Sequence, residues 1–130
     1  MSTEPDQPAK LLVLAQEDLA VARLIDREGL SPVALGFHCQ QAVEKALKAV
    51  LAAREGSFPF THDIEALIEL CERAHLELPA EIQAAERLSP YAGAARYGLG
   101  DPATVAPADA IRWAALTVRW AEAQTTSRSN

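Results

Sequence analysis

Between Ser31-Pro32 and Gly56 lie 24 residues with one glycine, Gly36, and no proline after the first position. Serine caps free amides, proline is harmless at the first helical position, and glycine is the usual residue just past a helix end. This predicts a helix from Pro32 to Glu55, spanning roughly 36 Å at ~1.5 Å per residue. A helix of that length belongs in a bundle, where neighbours cover it along its whole run. Gly36, Cys39, Val43, Leu47 and Val50 fall on one side at helical spacing; His38, Gln41, Lys45 and Lys48 fall on the other.

The rest of the chain reads the same way. From Lys10 to Glu28, Leu12, Ala15, Leu19 and Ala22 recur at spacings of three and four, beside a second line through Leu14, Val21 and Ile25, and Gly29 follows. Thr61 is placed to cap a third helix carrying Ile64, Leu67, Ile68 and Cys71. A fourth stretch starts at Pro79, carries Ile82 and Leu88, and is interrupted or kinked at Ser89-Pro90. Gly98 to Ala106 reads as loop, and a last helix runs from Pro107 to Gln124. No segment alternates apolar and polar residues between turn signals. The class is all-α: an antiparallel up-and-down bundle of four or five helices over residues 10–124, between a disordered leader 1–9 and a disordered tail 125–130.

At 130 residues the chain holds one core. Its net charge of −6 gives it no overall attraction for nucleic acid, so a polyanion site must be local. The acid is concentrated in residues 63–86, which carry −6, whereas residues 36–62 carry +1 and 87–130 carry +2. Two cysteines, Cys39 and Cys71, outside any CxxC pair, exclude a disulfide framework and suit reduced thiols in the cytoplasm. The acidic, proline-bearing start is unlike a signal peptide, and no apolar run is long enough to span a membrane.

The polar side of the second helix can be an anion site, since lysine charges and an amide donor suit phosphate, or merely a solvated face. Glu44 stands four residues before Lys48, the ordinary helix-stabilising spacing. His62 can satisfy a loop carbonyl or face a ligand. Arg96 with Tyr91 and Tyr97 can hold a phosphate and stack a base, or brace the chain against the bundle. Cys71 and His75 lack the further ligands of a metal site, and Ser57, His62 and Asp63 lack the elbow of a hydrolase triad. Trp113 and Trp120 read as core or dimer surface. No metal, cofactor or catalytic group is assigned.

The stretch Phe37-His38-Cys39-Gln40-Gln41-Ala42-Val43-Glu44-Lys45-Ala46-Leu47-Lys48-Ala49-Val50-Leu51 resembles the signature helix of the HEPN domain family. Glu17-Asp18-Leu19 with Ala22 resembles its opening helix, and Thr61-His62-Asp63-Ile64, Tyr91 and Ala95-Arg96-Tyr97 extend the likeness to about residues 10–122. The resemblance implies a helical bundle, usually homodimeric, often encoded beside a minimal nucleotidyltransferase in a two-component, toxin–antitoxin-like system. Active ribonucleases of the family carry Arg, four to six residues, then His. Here Arg96 is followed by Tyr97-Gly98-Leu99-Gly100-Asp101, and no histidine occurs after it. The resemblance therefore implies the branch without that motif: a nucleotide-binding or accessory module, with no catalysis expected of it alone. The alternatives are a metal-independent ribonuclease using Arg96 with a non-standard base, His62 or Asp101, and a purely structural dimerisation module. The residues set forward for ligand binding are His38, Gln41, Lys45, Lys48, His62, Tyr91, Arg96 and Tyr97, with a nucleotide or RNA as ligand and no membrane as partner.

Overall fold

The computed structural model describes residues 6–93 and 105–127. Five α-helices and one 3-10 helix make up the described chain: α1 (Gln7–Glu28), α2 (Pro32–Glu55), α3 (Ile64–Arg73), α4 (Ala80–Ala84), the 3-10 helix (Ala85–Ala92) and α5 (Pro107–Ser127). No strand occurs among the described residues. The short link after α1 returns α2 antiparallel to it.

The ends of α2 follow from its sequence. Ser31 Oγ accepts a hydrogen bond from the Ala34 amide, Pro32 opens the first turn, and Gly56 closes the helix at φ 81°, donating its amide to the Ala52 carbonyl. Other boundaries differ from expectation. Helix α1 begins at Gln7, inside the expected leader, because Pro8 fits a first turn and the Lys10 amide reaches the Asp6 carbonyl. Helix α5 continues to Ser127, beyond Gln124 and into the expected tail, with Thr125 Oγ1 donating back to the Ala121 carbonyl. Asp63, not Thr61, caps α3: its carboxylate accepts from the Glu65 amide, while Thr61 Oγ1 accepts from the Asp63 amide one step earlier. The fourth stretch is two pieces, as α4 tightens into a 3-10 helix that runs through Pro90. Of the loop expected at 98–106, only Val105 and Ala106 lie within the described residues.

Helix α2 is central, packing on α1, α3, the 3-10 helix and α5. Cys39, Val43, Leu47 and Val50 are buried along it, joined by Ile64, Leu67, Ile82, Leu88, Trp113 and Val118 from the elements around it. At Gly36 the packing leaves no room for a Cβ, which would run into the Tyr91 ring. The Tyr91 ring fills this gap, and its hydroxyl accepts a hydrogen bond from the Val105 amide at 3.3 Å. Gly36→Ala should therefore destabilise the protein: displacing the ring costs about 1–3 kcal/mol, against a helix-propensity gain of at most about 1 kcal/mol. Thermal melting checks the sign, and a stabilised variant would mean that Tyr91 moves freely.

Burial raises the thiols of Cys39 and Cys71 to about 12, so neither is a thiolate at neutral pH. No helix among the described residues is long and apolar enough to cross a membrane.

Candidate functional site

Because α2 is surrounded, its polar side is not a solvated face. Gln40, Glu44 and Lys48, one turn apart, lie buried under the α2–α3 connection. Glu44 is the hub. Its Oε1 accepts from Gln40 Nε2 at 2.8 Å and from His62 Nδ1 at 3.0 Å, and its Oε2 accepts from Lys48 Nζ at 2.9 Å. Gln40 Nε2 also reaches the His62 carbonyl at 3.4 Å, and Gln40 Oε1 accepts from Gln41 Nε2 at 2.7 Å. Lys48 Nζ stands 5.6 Å from the centre of the Phe58 ring. A carboxylate only 4% exposed thus has its charge matched by lysine and accepts two further hydrogen bonds.

Burial alone pushes the Glu44 carboxyl up, but the hydrogen bonds from Lys48, Gln40 and His62 together outweigh it and hold the group below its ordinary 4.5. A carboxyl depressed in the folded state stabilises the fold above its unfolded value. That contribution disappears as pH falls through 4.5 toward the folded value. Urea unfolding at a series of pH values should show stability declining below pH ~4.5, less steeply in a variant where Glu44 and Lys48 are both apolar.

The hub fixes His62. A carboxylate can only accept, so Nδ1 carries the proton, and Nε2 is left to accept or, when protonated, to donate. The side chain is 72% exposed although its inner nitrogen and its backbone carbonyl are both held from beneath. On α1, Asp18 repeats the device with two other residues of α2: Oδ1 binds His38 Nδ1 at 2.9 Å and Oδ2 binds Lys45 Nζ at 2.7 Å.

The eight residues set forward from the sequence therefore divide. His38 and Lys45 share Asp18, while Gln41, Lys48 and His62 join the Glu44 hub. Lys48 is enclosed within its ion pair, and Tyr91 is buried against Gly36. Arg96 and Tyr97 lie outside the described residues. Gln40, Glu44 and Asp18 were not singled out as site residues; the available signal was the i,i+4 ladder Gln40-Glu44-Lys48 beside the apolar stripe. Among the described residues no group of His, Cys, Asp and Glu is arranged to hold a metal. Trp113 is core, and Trp120 donates its indole N–H to the Glu77 carbonyl.

The sequence matches the HEPN domain family over residues 9–122. The chain belongs to the HEPN family. No curated protein and no solved structure matches it. In HEPN terms, the signature helix is α2 and the Thr61-His62-Asp63-Ile64 segment is the connection that covers its polar side. The all-helical bundle is the family's, and nucleotide binding or ribonuclease-related work is the general business of such domains.

Proposed function

We propose that this HEPN domain is a nucleotide-binding or accessory module without catalysis of its own, acting in the cytoplasm as a homodimer beside a minimal nucleotidyltransferase in a two-component, toxin–antitoxin-like system. The supporting observation is the bond between buried Glu44 and exposed His62. Ordering a surface imidazole from both its ring and its backbone has a cost in conformational freedom that a simply solvated side chain avoids. A ligand that meets Nε2 finds it oriented in advance. His38 and Lys45, paired through Asp18, and Gln41 offer further polar contacts, and Arg96 and Tyr97 are the groups proposed to add a guanidinium and a ring. Calorimetric titration with ATP, GTP and short oligonucleotides tests the reading. Binding that His62→Ala weakens supports it. No binding, together with no capture of a co-encoded nucleotidyltransferase, overturns it.

One observation favours a second reading. An imidazole with Nδ1 on a buried carboxylate and Nε2 outward has the arrangement of a general base or acid, which would let His62 stand in for the missing histidine of a metal-independent ribonuclease. Cleavage of labelled RNA in chelator, lost in both His62→Ala and Arg96→Ala, would establish it.

A further inference from the structure

Phe60, in the α2–α3 connection, is 99% exposed. A ring left wholly in water is uncommon, because aromatic side chains carry the largest apolar area available for burial. Apolar shelter stands beside it: an open cleft of about 450 Å³ runs along Pro59, walled by Leu51, Phe58 and Leu70. Phe60 does not line that cleft.

The backbone holds the ring out. The Thr61 amide donates to the Pro59 carbonyl at 3.1 Å, which closes a three-residue turn with Phe60 at its apex, and the Pro59 ring fixes φ on the way in. On the way out, Thr61 Oγ1 accepts from the Asp63 amide at 3.1 Å, and buried Gln40 donates to the His62 carbonyl. The hub that orients the His62 imidazole therefore also anchors the turn that presents Phe60.

The surroundings of the ring select what meets it. The other exposed large apolar side chains of the described residues lie on α1 or, at Leu30, just past it. Phe60 is thus a lone ring and not the centre of an apolar patch of the size that protein partners bury, and the next residues, Thr61 and His62, are polar. A flat ring beside a hydrogen-bonding group suits a nucleobase, which lays its π-face on the ring and leaves its polar edges to water. The chain itself keeps the Cα atoms of Phe60 and His62 within about 7 Å of each other. One nucleotide is long enough to lay its base on the first and bring its phosphate to Nε2 of the second. We infer that Phe60 is the base-stacking platform of a nucleotide site whose polar group is His62.

This inference rests on the nucleotide-binding reading above and adds the group that recognises the base. Calorimetric titration of the full chain with ATP, UTP and ribose 5-phosphate tests it in the wild type, Phe60→Ala and Phe60→Trp. Phe60→Ala should weaken ATP and UTP about tenfold or more, the worth of one base–aromatic stack, and both nucleotides are affected because every base has a π-face. Phe60→Trp should keep ATP within about threefold of the wild type, and its added indole fluorescence should be quenched as ATP binds. Ribose 5-phosphate, which has no base, should distinguish none of the three proteins. The position is exposed, so unchanged melting temperatures are expected alongside. An ATP affinity unchanged in Phe60→Ala would overturn the platform and leave the nucleotide site standing; if that variant also lost capture of a co-encoded nucleotidyltransferase, the ring would be a protein anchor. No binding of either nucleotide by the wild type would overturn the platform and the nucleotide-binding reading together.

Discussion

Glu44→Ala is expected to lower the unfolding free energy by about 3–5 kcal/mol, because it leaves Lys48 buried and charged with no counter-ion. Lys48 has its ammonium inside the α2–α3 connection, beside Phe58 and paired with Glu44. Water cannot replace the carboxylate without opening that connection, so the penalty is one of desolvation as well as lost attraction. Removing both charges is a different matter. Glu44→Leu with Lys48→Met should recover most of the stability, since a buried ion pair often contributes little beyond an apolar pair of similar volume. Urea unfolding of the two variants decides the point. A loss under about 1 kcal/mol in Glu44→Ala would place the pair among ordinary surface bridges.

Leu47→Asp is expected to abolish the folded state. Leu47 is fully buried on the side of α2 that faces the core, within an apolar cluster that includes Val43, Val50, Ile64 and Leu67. An uncompensated carboxylate there costs a large fraction of the 5–15 kcal/mol typical of a domain, on top of the lost apolar packing. Near-ultraviolet circular dichroism should be featureless and the thermal transition non-cooperative. Leu14→Asp is the internal control: the same change on an exposed position of α1 should leave the subunit's melting nearly unmoved. A cooperative melt of Leu47→Asp at the wild-type temperature would mean that α2 faces the other way.

Much of the bundle was legible because helix ends are local chemistry. Ser31, Pro32 and Gly56 fix α2 with residues adjacent to its boundaries, and the structure keeps all three roles. Where two signals compete, local reading loses its footing. Thr61 and Asp63 are both capping types two residues apart, and only the folded chain shows that Thr61 caps Asp63 while Asp63 caps the helix. Ser89-Pro90 reads as an interruption or a kink, and the folded chain passes through Pro90 in a 3-10 helix.

The site was less legible, for a different reason. Glu44 and Lys48 have the same spacing whether they lie in water or in the interior, so the sequence alone describes them as an ordinary helical pair. What makes them a buried hub is that α2 has neighbours on every side, which is a property of the whole bundle. Asp18 illustrates the same limit: its two partners, His38 and Lys45, come from a helix that only packing brings beside it. His62 could be named as a candidate, but its support lies 18 positions back in Glu44.

Gln40 gives the hub an outlet. Its amide hydrogens bind Glu44 and the His62 carbonyl while its oxygen holds Gln41, so a side chain with no exposure of its own touches both the carboxylate that holds the His62 ring and the backbone that carries it. An isotope label on that one imidazole would make the surface a spectroscopic window onto the concealed amide and carboxylate behind it.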